Sequence, residues 1–264
     1  MVMEIFRPIS IREAMRAGSQ PGASYLGGGT WLASGRGDPP VILISLERLG
    51  LGFIRCAEAR CAIGASVCFQ QILDGPGMPD AMRRAVSKTA SRTLRNMVTV
   101  GGELGLLSPS SVLLPVLIAL HACVHLAGRK AIDVERYCSE KLSGLIVDIS
   151  IPDSALPCAV ECLSRTSHSI KSLVVAVSAL AAQPRISGLR VVVSDCRGQL
   201  LRLSGIEKAL EGAALPPRDR LAAMVRSAVS PRPDMHASAA YKSYMAGVLA
   251  ADLLSALAGK GVRP

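Results

Sequence analysis

Aromatic side chains are scarce in this chain of 264 residues: one tryptophan, four tyrosines and three phenylalanines. Half of the residues (50%) are nonetheless apolar, so the core has to be built from Leu, Val, Ile and Ala, and the composition is that of a globular chain. Long apolar runs are missing too. The longest, Val112 to Leu120, has Pro115 inside it and falls far short of the roughly twenty residues that a bilayer span needs. It reads as a buried helix. Met1 to Ser10 lacks the apolar centre of a secretory signal, and a soluble, cytoplasmic chain is expected.

Ligand spacings are absent as well. Eight cysteines (Cys56, Cys61, Cys68, Cys123, Cys138, Cys158, Cys162, Cys196) include no C-x-x-C, and the plant-type ferredoxin spacing is met only at its first step by Cys56 and Cys61. They read as reduced thiols acting as small buried hydrophobes. Any iron-sulfur cluster then belongs to another chain. Of the histidines His121, His125, His168 and His236, the first two stand four apart on a predicted helix, but without the glutamate of H-E-x-x-H. Core or boundary positions fit them better than a metal, which needs three or four convergent groups. No Ser-His-Asp signature is present either, so the chain lacks acid-base machinery of its own. The net charge of +10 comes without a basic block or interleaved aromatics, which speaks against nucleic acid. Its densest group, Arg83, Arg84, Lys88, Arg92 and Arg95, reads as one solvated helix face, the alternative being attraction for an acidic partner or an anionic nucleotide.

What the chain does have is glycine in two clusters. Gly27-Gly28-Gly29-Thr30 and Thr99-Val100-Gly101-Gly102-Glu103 lie about seventy residues apart, each after a short apolar run that reads as a strand. Glycine reaches positive φ freely and lets the main chain approach an anion closely, and successive N–H groups in such a turn make an anion-binding nest. Two such bends facing each other would suit a dinucleotide diphosphate. A Rossmann fingerprint begins with Gly27 and Gly29 but fails at Leu32, where its third glycine belongs, and no P-loop pattern occurs. Trp31 after the first cluster reads as a core filler, the alternative being a ring that stacks on the ligand.

With Phe6-Arg7-Pro8, Tyr25-Leu26-Gly27-Gly28-Gly29-Thr30 and Leu94-Arg95-Asn96-Met97-Val98-Thr99-Val100-Gly101-Gly102, the chain resembles the FAD-binding medium subunit of molybdenum hydroxylases of the xanthine dehydrogenase and carbon monoxide dehydrogenase type. Ile44 to Leu49, Ala62 to Ala65, Leu113 to Leu120 and Tyr241 to Leu249 continue the resemblance in order along nearly the whole chain. Within the family it looks closest to the flavoprotein subunit of a proposed selenate reductase, on the strength of Glu103 and Ser111, where most relatives carry asparagine and aspartate.

The resemblance implies FAD as cofactor, held by Leu26, Gly27, Gly28, Gly29, Thr30, Trp31, Thr99, Val100, Gly101, Gly102, Glu103 and Ser111, with no catalytic side chain and no metal on this chain. It also implies a molybdopterin-binding large subunit and a 2Fe-2S small subunit as partners, with NAD+ or another acceptor downstream. Two other readings stay open. One is a scaffold that binds FAD weakly or not at all, because ionised Glu103 accepts but cannot donate hydrogen bonds. The other is a stand-alone flavin reductase resembling the cell-wall precursor reductase. Tyr241 and Lys242 read as packing and surface residues.

The expected architecture is α+β: a PCMH-type FAD-binding domain over 1–152, made of small α/β subdomains of about 1–50 and 51–152, then an α/β domain of the carbon monoxide dehydrogenase flavoprotein type over 153–264. In the first, helices are expected at Ile11 to Ala17, Phe69 to Leu73, Asp80 to Ala90 and from Ser111, and strands at Val41 to Ser45, Arg60 to Ala65 and within Lys141 to Ile151. In the second, three strands (Val160 to Arg165, Leu173 to Ala182, Leu189 to Ser194), with a turn at Pro184 to Gly188, precede helices at Gly205 to Glu211, Arg218 to Val229 and Ser238 to Ala258.

Overall fold

The computed structural model describes residues 4–35, 39–166, 169–182 and 185–260; His168 and Pro184 lie outside them. In chain order the elements are β1 (Glu4–Phe6), α1 (Ile11–Gly18), β2 (Ala23–Leu26), a 3-10 turn (Leu32–Ser34), β3 (Ile42–Ser45), β4 (Ile54–Ala57), β5 (Arg60–Gly64), α2 (Phe69–Asp74), α3 (Asp80–Thr89), α4 (Arg92–Arg95), α5 (Val100–Leu106) and α6 (Leu113–Ala119). They continue with β6 (Cys123–Leu126), β7 (Ile132–Asp133), α7 (Val134–Ser139), β8 (Ile146–Ile151), β9 (Cys158–Leu163), β10 (Leu173–Ala182), β11 (Arg185–Asp195), β12 (Leu200–Arg202), α8 (Ser204–Leu210), α9 (Arg218–Ala228) and α10 (Ala239–Lys260). The fold is α+β, as expected. Among the described residues no helix is long and apolar enough to cross a membrane, and no cluster of side chains suits a metal ion.

Two compact units share the chain, each drawn from separated segments. The first takes Met1–Met78, Ala90–Leu107 and His121–Pro152; the second takes Pro79–Thr89, Ser108–Leu120 and Asp153–Pro264.

In the first unit a parallel three-stranded sheet, β1-β3-β2, covers α1. Ser10 caps that helix by accepting from Glu13 N, which satisfies one of the orphan amides at the helix start, while the Glu13 carboxylate accepts from Ile9 N, just ahead of the cap. Its apolar face, Ala14 and Ala17, packs with Ile44, Leu46 and Leu145. The other sheet of this unit runs β4-β5-β8-β6-β7. Here β5 and β8 alternate inward and outward as half-buried strands do, with Cys61, Ile63, Ile149 and Ile151 all buried.

Three expectations fail in this unit. Met97 and Val98 form no strand before the second glycine cluster; Thr99 makes only an isolated bridge to Cys68, and the glycines that follow are helical, in the first turn of α5. His121 and His125 do not share a helix. Helix α6 stops at Ala119, His121 turns left-handed (φ 55), and pairing with β8 draws Cys123–Leu126 into a strand where His125 Nε2 lies 2.9 Å from Ser150 Oγ. Nor are all cysteines reduced. The register of β4 against β5 sets Cys56 opposite Cys61, with Cα atoms 4.1 Å apart, and the two form a disulfide; the other six are free thiols.

The second unit is built on an antiparallel sheet, β12-β11-β10-β9, of four strands where three were expected; the added β12 pairs Leu200–Arg202 with Val192–Ser194. One face of the sheet, including Leu173, Val175, Val177, Val191 and Val193, packs under α8, α9 and α10. The opposite face takes α6, every residue of which is buried. The sheet also closes the C-terminal end of that helix: Arg190 Nη1 donates to Ile118 O and Ser178 Oγ to Ala119 O, both at 2.7 Å.

The arginine-rich group is not one helix face, because α3 and α4 are separate helices. Arg84 and Lys88 of α3 both bind Glu161, whereas Arg95 of α4 donates to Gln70 Oε1 and Ala90 O. Lys242 is not a surface residue either. It is 0% exposed, with Nζ 2.6 Å from Asp234 Oδ2 and 2.7 Å from Arg232 O, while Tyr241 beside it is 47% exposed. Burial works against ionisation of Asp234. Cys196, Lys242 and the His236 and Ala237 amides outweigh it and hold the carboxyl well below the usual range.

Candidate cofactor-binding site

Within the first unit the two glycine clusters meet at one cleft of about 1120 Å³. The first follows β2 directly, because Leu26 O still accepts from Leu46 N and ends the ladder there. The chain then turns through Gly29, at φ 70, into the 3-10 turn. Among the described residues the amides of Gly27, Gly28, Gly29, Thr30 and Trp31 have no acceptor in the chain. Five successive free donors on the wall of a cleft form a nest for an anion.

The second cluster works differently from the expectation. Its amides are committed inward: Val100 N to Val67 O, Gly101 N to Ala65 O, Gly102 N to Thr99 Oγ1 and Glu103 N to Thr99 O. What it contributes is shape. A Cβ on Gly101 would come within 2.7 Å of Ala65 Cβ, and one on Gly27 within 2.8 Å of Thr99 Oγ1. A Cβ on Gly28 would overlap the carbonyl of Met97 outright. The first cluster comes this close to the Met97–Thr99 segment only because Gly27 and Gly28 carry no Cβ, and α5 packs on Ala65 only because Gly101 carries none.

Gly27, Gly28, Gly29, Thr30, Trp31, Thr99, Gly101, Gly102 and Glu103 all line this cleft. Leu26 and Val100 do not, Val100 being fully buried. Ser111 belongs to the second unit, where its hydroxyl accepts from Leu114 N at 3.2 Å and caps α6. Trp31 is 41% exposed, so it rims the cleft and is not a core filler.

The sequence reading missed Tyr25, Ala65, Arg129, Tyr137 and Lys141, which also line the cleft. Tyr25, beside the first glycines, and Ala65, at the end of the Ala62 to Ala65 stretch, had a local signal; Arg129, Tyr137 and Lys141 are brought in by β6 and α7. Burial raises the Tyr25 hydroxyl above its ordinary value and, together with the neighbouring Cys138, pushes Tyr137 up to about 12. Both therefore stay neutral. The charged groups of the lining include Glu103, Arg129 and Lys141. Free amides, two basic side chains and a wall without Cβ atoms fit a diphosphate-bearing ligand such as FAD. The lining offers no Ser-His-Asp or paired-carboxylate arrangement for acid-base chemistry.

The comparisons agree with this geometry. The family described as the FAD binding domain in molybdopterin dehydrogenase matches residues 1–154. The uncharacterized protein YgfM of Escherichia coli (strain K12) is 33% identical over 257 residues, covering 96% of this chain and 95% of that protein. Among solved structures, a chain of carbon monoxide dehydrogenase from Hydrogenophaga pseudoflava superposes with a TM-score of 0.87 at 24% identity, covering 98% of this chain and 99% of its own. A chain of quinoline 2-oxidoreductase from Pseudomonas putida 86 gives 0.89 at 17% identity, covering 100% and 99%. At these identities the structures speak for the fold. The family match and the relative speak for descent, and by them this chain belongs to the FAD-binding domain family of molybdopterin dehydrogenases, whose cofactor is FAD.

Proposed function

We propose that this chain is the flavin subunit of a cytoplasmic molybdenum hydroxylase complex, receiving electrons from 2Fe-2S clusters on a small partner and passing them to NAD+ or another acceptor. Its other partner is the molybdopterin-binding large subunit. One observation carries the reading: the unengaged amides of Gly27 to Trp31 belong to residues that line the same cleft as Gly101 and Gly102 in the first turn of α5. FAD supplies the redox chemistry, storing two electrons that arrive singly.

The residues of this chain bind and orient. Gly27 to Thr30 would hold the diphosphate of FAD through main-chain amides, and Arg129 and Lys141 would balance its charge. Neutral Tyr25 and Tyr137 offer hydroxyls without adding charge, and Trp31 covers the cleft rim. Buried Glu103 is the feature that marks the branch near the selenate reductase flavoprotein.

The test is the visible spectrum of the purified chain with and without added FAD. A yellow protein whose flavin bands saturate at one FAD per chain supports the reading. A colourless chain that takes up no FAD yet co-purifies with partner subunits points to a scaffold. Turnover by the chain alone with a reduced nicotinamide and its own substrate points to a stand-alone reductase.

A further inference from the structure

Cys56 and Cys61 face each other across β4 and β5 and are joined as a disulfide. The bond sits just below a two-residue hairpin turn, Glu58–Ala59, whose residues are both left-handed (φ 49 and 61). Such a turn ordinarily takes Asn or Gly at these positions, and a glutamate and an alanine adopt it against their preference. Among the described residues strand β4 is also the edge of its sheet, paired only with β5. While β5 is anchored on its other side by β8, β4 is held to the sheet by one ladder, an unfavourable turn and one covalent bond. The two residues differ in access: Cys56 is half-buried and Cys61 only 2% exposed.

We propose that Cys56–Cys61 is a thiol-exchangeable redox site, with a low-molecular-weight thiol as its reactant, and that its state locks or frees the β4–β5 hairpin. A thiolate RS⁻ attacks the accessible Cys56 sulfur; the Cys56–Cys61 bond breaks and its electron pair leaves on Cys61. Cys61 takes a proton from water and, as a thiol, finds an acceptor in Gly77 O, 3.5 Å from its sulfur. A second thiol displaces the Cys56 adduct. The net change is disulfide plus two RSH giving two cysteine thiols plus RSSR: the protein gains two electrons and two protons, and the small thiol is oxidised. Inside cells such bonds are more often exchangeable than structural. The inference does not depend on the FAD reading.

The experiment uses the full chain, equilibrated under native conditions in glutathione buffers of graded redox poise, quenched with acid, alkylated and mapped by mass spectrometry. Cys56 and Cys61 are expected to convert together between a bonded and a doubly alkylated form while the six other cysteines stay unchanged. In Cys61→Ser the glutathione adduct is expected at Cys56. Hydrogen exchange adds a readout that needs no variant: removing so short a covalent loop should speed exchange of the hairpin amides by about 30-fold on chain-entropy grounds. A pair that never bonds in oxidising buffer, that is reduced only after denaturation, or whose reduction leaves hairpin exchange unchanged overturns the proposal.

Discussion

Replacing Gly28 by alanine is the sharpest probe of the cleft. A Cβ there lies 2.6 Å from the Met97 carbonyl carbon and inside the contact distance of its oxygen. Neither group is the end of a flexible side chain, so no rotamer change relieves the overlap, and the main chain at Gly28 and at Met97 must part. Met97 is not free to retreat, because its amide is bonded to Leu94 O and the adjoining Val98 O accepts from Phe69 N. Forcing one extra methyl into a packed site costs about 1–3 kcal/mol. If the strain is relieved by opening the wall that FAD needs, the same energy appears as about a 5- to 150-fold rise in Kd. Titrating the apoprotein with FAD and following flavin fluorescence measures it. Gly52→Ala is the control, since a Cβ there meets nothing within 4 Å. G28A binding FAD with unchanged affinity, in a protein of unchanged stability, would refute the convergence of the two glycine segments as the basis of the site.

Other outcomes follow from particular contacts. Asp234→Asn strands the buried Lys242 ammonium and should cost about 3–5 kcal/mol in urea unfolding. Because the Asp234 carboxyl is depressed below its ordinary 3.8, its contribution is complete above that pH and drains away as the pH falls through the folded value. The wild type should therefore lose stability in acid more steeply than D234N. Tyr137 has the opposite sign: raised from 10.0 to about 12, it favours the fold below pH 10 and loses that contribution as the pH climbs toward the folded value. Tyr137→Phe should flatten the alkaline limb of a stability-against-pH curve. Ser178→Ala removes the donor to Ala119 O at the end of α6, and thermal or urea unfolding should register a loss of about 1–3 kcal/mol for the orphaned carbonyl.

The elements were legible where the period was strong. Helices α1, α2, α3, α8, α9 and α10 and strands β3, β5 and β10 stand close to their expected ranges, because their apolar spacing is also what their neighbours require, whereas β11 starts at Arg185, where Pro184 to Gly188 were expected to turn, because pairing with β10 extends it. Short pieces were not legible: β12 is too brief for an alternating pattern although it closes a hairpin with β11, and the bridge at Thr99 depends on the distant Cys68. The same holds for Lys242. A lysine in a helix of small residues reads as solvated until Asp234 and the Arg232 carbonyl arrive from a preceding loop to pair with it. The cleft was half legible. Glycine marked both of its walls, but whether a cluster presents free amides or only a bare surface depends on acceptors such as Ala65 O and Val67 O, supplied by the turn between β5 and α2.

The interleaving of the two units bears on how the polypeptide is made. Buried residues of α3 (Ala81, Met82, Ala85, Val86) and all of α6 leave the ribosome well before the strands β9 to β11 that shelter them. Until those strands emerge, both helices are greasy and unsheltered, so nascent chains stalled between residue 120 and residue 195 should be the ones that recruit chaperones. A fragment cut after Pro152 would carry the same burden permanently, and the missing half could not be supplied as a clean module, because part of its interior would have gone with the other piece.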